Sequence, residues 1–181
     1  MLIIHPNDPT TSFLKVLYPA ESNTILDERA DNETIEKAIF ENDRIMILGH
    51  GSGFGLFAPS AETNDRFGRQ IIGPSHAPLL KDKEIIGVWC HANQYAIRFD
   101  LTGLFTGMVI SEMEEAYDCF IDATETDIFE GREKWAADFK DALNGDLSLV
   151  PLKMKERPRN YTIDAINYES FWYLENGIEK E

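Results

Sequence analysis

The hydrophobic positions along the chain form short apolar runs separated by segments with helical spacing. Each run is about as long as a buried strand and shorter than a core helix. Between runs, apolar residues recur three or four positions apart, as they do at Phe13, Val16 and Leu17. Such alternation predicts an α/β fold of three layers, with a mostly parallel central sheet flanked by helices. The predicted core strands are Leu2–Ile4, Arg44–Leu48, Ile85–Trp89 and Leu104–Ile110.

Capping residues and turn residues predict where several elements begin. Asp8 followed by Pro9 is typical of a helix start, and Asp31 precedes a second helix. Ser111 with Glu114, and Asp127 with Glu130, match the capping-box spacing. Residues 55–57 and 70–72 could pair as a hairpin. Basic residues at every second position from 153 to 159 predict an exposed edge strand protected by charge.

The length of 181 residues predicts a single domain. We expect a core over about residues 1–145, and a C-terminal extension over 146–181 that adds a strand and a helix to it. The pattern does not indicate an oligomeric state.

Charge and composition restrict the partners. The chain has 17 basic and 32 acidic residues and a net charge of −15, which argues against nucleic acid and against an anionic membrane surface. No apolar run approaches the length of a membrane span, and the first residues lack the basic lead of a secretory signal. Two cysteines, Cys90 and Cys119, do not form a disulfide framework. We therefore expect an acidic cytoplasmic protein with reduced thiols.

Two predicted core strands end in side chains that could react. One run leads into Gly49-His50-Gly51, and the other ends at Cys90-His91. If these strands are neighbours, His50 and Cys90 emerge at the same edge of a parallel sheet, where sites form. The imidazole could then raise the thiolate fraction of Cys90 and protonate a leaving amine. The backbone amides of Gly51 and Cys90 could form an oxyanion hole, and glycine at 51 would let the backbone approach a carbonyl.

This pattern resembles the caspase-like cysteine peptidases, which include caspases, metacaspases, legumains, gingipains and clostripain. Gly49-His50-Gly51-Ser52-Gly53 is similar to their histidine block, and Trp89-Cys90-His91-Ala92-Asn93 is similar to the metacaspase cysteine block, where Cys-His-Ser-Gly is usual. The resemblance covers roughly residues 1–120. It implies a caspase-like fold, peptide or protein substrates, and no cofactor or metal in the chemistry. It also implies that His50 is the general acid/base and Cys90 the nucleophile, with the Gly51 amide in the oxyanion hole.

One departure from the resemblance concerns substrate selection. Metacaspases have an acidic residue two positions before the cysteine, in the pocket that selects Arg or Lys. Val88 stands there in this chain, so a basic preference does not follow from the motif. Asp100 and Glu112 are further candidates for a substrate pocket.

Three other interpretations remain open at this point. The dyad could be unused, and the fold could then act as a binding or regulatory module. A nucleotide-binding α/β protein is another alternative, although residues 49–55 do not match G-x-G-x-x-G in any register. His50, Cys90 and His91 offer three metal ligands, but without the spacing of a known site.

Overall fold

A seven-stranded mixed sheet forms the centre of the molecule. The computed structural model describes residues 1–20, 23–60 and 67–180. The strands are β1 Leu2–Ile4, β2 Thr24–Leu26, β3 Arg44–Leu48, β7 Glu84–Val88, β8 Thr102–Thr106, β9 Phe171–Glu175 and β10 Ile178–Glu179. Their spatial order is β10-β9-β8-β7-β3-β1-β2. The pairs from β2 to β8 are parallel, whereas β9 pairs antiparallel with both β8 and β10.

A small antiparallel sheet is formed by the chain segment that connects β3 to β7. Its order is β4-β5-β6, formed by His50–Ser52, Gly55–Ala58 and Arg69–Ile72. The predicted hairpin is confirmed, because β5 and β6 pair antiparallel. The glycine-rich segment after β3 therefore continues as a hairpin strand, not as the strand-to-helix turn of a phosphate-binding loop.

Helices pack on both faces of the main sheet. Alternate residues of each strand point to opposite faces, so Ile45 and Ile47 join one core cluster while Met46 and Leu48 join the other. The α-helices are α1 Asn32–Glu41, α2 Ala77–Leu80, α3 Ala92–Arg98, α4 Met113–Asp118, α5 Glu125–Ala142, α6 Val150–Lys155 and α7 Asp164–Asn167, and the 3-10 helices are Pro9–Leu17, Pro74–His76 and Leu147–Leu149. The first cluster is covered by α1, α2 and α3, and the second by the 3-10 helix Pro9–Leu17, α5 and α6.

The α/β class with a mostly parallel sheet is confirmed, and two of the predicted helix caps are also correct. Asp8 accepts a hydrogen bond from the Thr10 amide at 2.9 Å, although the helix it begins is 3-10. Asp31 accepts one from the Thr34 amide at 2.8 Å and begins α1.

The other two capping boxes are wrong in position. Helix α5 begins with Thr124 and Asp127, three residues before the predicted pair. In α4 the N-cap is Glu112 and the reciprocal carboxylate belongs to Glu115, each one residue beyond its predicted counterpart. Adjacent acidic and hydroxyl residues satisfy the same local pattern in several registers, so tertiary contacts select the register.

The prediction of an edge strand over 153–159 is also wrong. The first part of this segment belongs to helix α6, which ends at Lys155. It is helical because Pro151 suits the first turn, and because Val150 and Met154 are buried against the core one helical turn apart. The cations that follow form ion pairs: Arg157 with Asp141, and Arg159 with Glu169. The core strand predicted over Leu104–Ile110 also ends earlier, since β8 ends at Thr106.

Candidate active site

His50 and Cys90 both lie at the carboxyl end of the central sheet. Strands β3 and β7 are parallel neighbours, and their last residues, Leu48 and Val88, are register partners. His50 and Cys90 each follow two residues later, and both line one cavity of about 520 Å³. The sequence thus correctly predicted that these side chains share an edge.

Hydrogen bonds fix one side of the His50 ring. The imidazole is 5% exposed, and its Nε2 lies 2.7 Å from the hydroxyl of Thr10. That hydroxyl donates its only proton to Asp8 Oδ1, also at 2.7 Å, so it accepts from His50 and Nε2 holds a proton. In the neutral ring, the lone pair is therefore on Nδ1. Nδ1 faces Glu115 Oε1 at 3.9 Å.

The Cys90 thiol is directed at acceptors other than His50. Its Sγ donates to the carbonyl oxygen of Val109 at 3.4 Å, and Glu115 Oε1 lies 3.8 Å away. Burial first, and the negative charge of Glu115 second, raise the pKa of the Cys90 thiol to about 12. Cys90 is thus protonated at neutral pH in this conformation, which is the opposite of the thiolate-promoting effect expected from the His50 pairing.

Glu115 connects the two groups, and sequence reasoning did not find it. Its Oε2 accepts from the Ser111 amide at 2.7 Å, the Ser111 hydroxyl at 3.0 Å and the Glu112 amide at 3.1 Å. These bonds leave Oε1 between His50 Nδ1 and Cys90 Sγ. The available signal was the chain position of Ser111-Glu112, a helix start just beyond β8, because the following turn then returns to the same sheet edge.

The backbone around the two residues fits part of the expected oxyanion hole. Among the described residues, the Cys90 amide has no acceptor. Gly51 has a different reason to be glycine than the one expected: an added Cβ would lie 2.1 Å from Cδ1 of Trp89. Packing against the indole thus excludes a side chain at 51, whatever approaches the backbone. His91 has a φ of 65° and turns the chain from Cys90 into α3.

The residues proposed for a substrate pocket separate from one another. Val88 is 2% exposed and belongs to the core, beside a small cavity that His50 and Cys90 also line. Glu112 lies in the site, close to His50 and Glu115. Asp100 does not: it precedes β8, at the amino end of the strand, and its carboxylate lies 3.5 Å from Lys81. The prediction for Asp100 is wrong because the direction of β8 carries it to the opposite end of the sheet.

The cavity of about 520 Å³ beside His50 and Cys90 is lined by acidic residues other than the predicted Asp100. It combines the carboxylates of Glu114 and Asp118 with the apolar side chains of Phe67 and Met108. The acidic helix α4 therefore contributes the wall nearest to Cys90.

Comparisons with known proteins identify no family: no protein-family model matches the chain, and no curated protein matches it significantly. Within residues 1–20, 23–60 and 67–180, no helix has both the length and the apolar character of a membrane span.

Proposed function

We propose that this protein is a cysteine hydrolase, a peptidase of the caspase-like kind, with Cys90 as nucleophile and His50 as general acid/base. The observation that supports this most is the convergence of His50 and Cys90 from paired strand ends, with the ring of His50 held so that Nδ1 faces the cavity. The mostly parallel sheet with helices on both faces agrees with the fold that the sequence resemblance implies.

In the proposed reaction, the thiol proton passes to Nδ1 of His50 as Sγ attacks the substrate carbonyl carbon. Glu115 Oε1 stabilises the imidazolium that forms, at a distance of 3.9 Å. The Cys90 amide, with that of Gly51, donates to the oxyanion. His50 then protonates the departing amine, and an acyl-enzyme remains. A water molecule deprotonated by His50 hydrolyses the thioester and restores the thiol.

The resting thiol has a consequence for this reaction. Because the pKa of Cys90 is raised to about 12, no preformed thiolate–imidazolium pair exists in this conformation. The thiol must turn from Val109 and Glu115 towards His50 when substrate binds.

The same observation favours a second candidate, a catalytically silent module that binds a peptide in the same cavity. In that case Glu115 would hold the thiol permanently, and Cys90 would contribute packing alone. The two candidates differ in the reactivity of Cys90 and in its dependence on His50.

The cavity composition indicates the substrate. Glu114, Glu115 and Asp118 lie together with two apolar side chains near Cys90. We expect a substrate with a long basic side chain, whose methylenes pack on Phe67 and Met108 while its charge meets the carboxylates. A peptide library that varies the residue before the scissile bond would measure this preference; a preference for acidic residues would contradict it.

The test of the proposed function uses a peptidyl acyloxymethyl ketone, which alkylates a thiol activated by a neighbouring base. We expect modification of Cys90, located by mass spectrometry, and at least a tenfold loss of rate in His50→Asn. Cys119 is the internal control, since it is a second free cysteine in the same chain. Cys119→Ala should label like the wild type.

Two results would contradict the proposed enzymatic function. One is labelling of Cys90 at the same rate in wild type and His50→Asn. The other is labelling of Cys90 no faster than that of Cys119. Either result would favour the silent module, which should still bind the matching peptide without cleaving it.

A further inference from the structure

Three metal-ligating side chains converge beside the proposed nucleophile. His50, Glu112 and Glu115 each have a potential ligand atom, and these three atoms lie within 4.8 Å of one another. The cluster differs from the combination of His50, Cys90 and His91 that the sequence offered, because two of its members come from the start of α4. Its two carboxylates place negative charge next to a buried imidazole.

The arrangement around His50 has the form of a metal ligand. Its Nε2–H donates to Thr10, which is bonded in turn to Asp8. Protein imidazoles that bind metals usually donate their second N–H in this way, which fixes the tautomer and the ring orientation. The remaining nitrogen, Nδ1, has no hydrogen-bond partner among the described residues, and its ring is 5% exposed. Nδ1 lies 3.9 Å from Glu115 Oε1, and Glu112 belongs to the same cluster, so this position suits a cation.

Glu115 is prepared in the same way. The three hydrogen bonds to Oε2 hold its carboxylate against the Ser111–Glu112 backbone. Oε1 lies 3.9 Å from His50 Nδ1, beyond hydrogen-bond distance. Ligand atoms on a tetrahedral Zn²⁺ are about 3.3 Å apart, for bonds of about 2.0 Å. A shift of less than 1 Å brings this pair to that spacing, and the Glu112 ligand atom already lies within 4.8 Å of both.

We propose that His50, Glu112 and Glu115 bind one first-row transition-metal dication, for which Zn²⁺ is the probe. An imidazole nitrogen with carboxylate oxygens is a donor set for such ions, whereas Mg²⁺ and Ca²⁺ select oxygen ligands alone. The charges of the two carboxylates together match that of the dication. Cys90 lies beside this cluster, with its Sγ 3.8 Å from Glu115 Oε1.

The consequence for activity rests on the proposed function. A metal ion at Nδ1 occupies the lone pair that would accept the thiol proton. It also holds Glu115 in place and covers Cys90. The occupied site is therefore an inhibited state, released when the metal is removed.

The experiment measures Zn²⁺ binding to the full chain by titration calorimetry at pH 7.5, after removal of metal with a chelator. We expect one Zn²⁺ per chain, undisturbed by excess Mg²⁺, and at least a tenfold weaker affinity in Glu112→Gln and in His50→Asn. Glu114→Gln is the matched control: it removes a carboxylate from the same helix, outside the cluster, and should bind like the wild type. Circular dichroism verifies that each variant is folded.

Equal affinity in wild type and His50→Asn, or no stoichiometric binding in the wild type, would overturn the metal site. Cys90→Ala separates this failure from failure of the peptidase. If Cys90→Ala binds one Zn²⁺ while the wild type lacks hydrolase activity, the metal site stands and the enzyme does not. If wild type cleaves peptides after chelation and binds no Zn²⁺, the metal inference alone is wrong.

Discussion

Thr10→Val tests how His50 is held ready to accept a proton. In the wild type, the Thr10 hydroxyl accepts from Nε2 at 2.7 Å and so keeps the lone pair on Nδ1. Valine has nearly the same shape without the hydroxyl. The competing tautomer, with the proton on Nδ1, then gains relative stability because Nε2–H has lost its acceptor, while the negative charge of Glu115 Oε1 lies 3.9 Å from Nδ1.

The size of the effect follows from the lost hydrogen bond. A buried donor left without its acceptor costs about 1–3 kcal/mol. Asp8 Oδ2 lies 3.6 Å from Nε2 and can partly replace the hydroxyl, so we take about 1–2 kcal/mol. The ratio of the competent to the competing tautomer should fall by about 5- to 30-fold, and the rate of Cys90 modification or peptide cleavage should fall in proportion to the competent fraction that remains. The reaction is measured in chelator.

Thr11→Val is the matched control, one residue further along the same 3-10 helix. Its hydroxyl contacts His5 at 3.1 Å and does not touch His50. Long-range ¹⁵N NMR of the imidazole reports the tautomer directly. We expect Nε2–H in the wild type and in Thr11→Val, and a mixture in Thr10→Val. An unchanged tautomer together with an unchanged rate in Thr10→Val would refute this account of His50.

Three further predictions concern stability. Burial lowers the pKa of His5 from 6.5 to about 4, so the folded state binds fewer protons than the unfolded state between these pH values. The contribution of His5 to stability is therefore complete above pH 6.5, and the free energy of unfolding falls by about 3 kcal/mol on the way to pH 4. Chemical denaturation should show a shallower decline over this range in His5→Gln. Gly51→Ala should lower the thermal midpoint markedly, because the new Cβ meets Trp89 at 2.1 Å, whereas an unchanged midpoint would show that the indole moves freely. Asn167→Ala should cost about 2–4 kcal/mol, since the buried amide bonds both the N–H and the C=O of Ile110, at 2.7 and 2.8 Å; a loss below 0.5 kcal/mol in urea denaturation would contradict it.

The parts of the fold that the sequence predicted are those with purely local causes. The apolar runs that became β3 and β7 are fully buried, so their residues are apolar on both faces and the pattern is unambiguous. The ends of those strands then located His50 and Cys90. Asp8 was also predicted as a cap, but its second role, through Thr10 to His50, was not. It follows from β1 lying next to β3, which a single sequence does not specify.

The parts that were missed depend on competition between local patterns. The cations from 153 to 159 alternate with period two, yet Val150 and Met154 have helical spacing in the same segment. Burial of the two apolar side chains outweighs the charge pattern, because exposed ion pairs contribute little. Glu115 was missed for a similar reason. Four of the seven residues from 112 to 118 are acidic, and only its tertiary neighbours distinguish Glu115 from the other three.

The arrangement of His50 makes proton transfer and metal binding mutually exclusive. Nε2 is committed to Thr10, so proton transfer and metal binding both require the lone pair of Nδ1. Glu115 has the same double role, since Oε1 either stabilises the imidazolium or binds the cation. Activity and metal occupancy should therefore be exclusive, and Zn²⁺ should slow Cys90 labelling in wild type and Glu114→Gln while leaving Glu112→Gln nearly unaffected. Equal inhibition of all three proteins would mean that the metal acts at another place on this acidic surface.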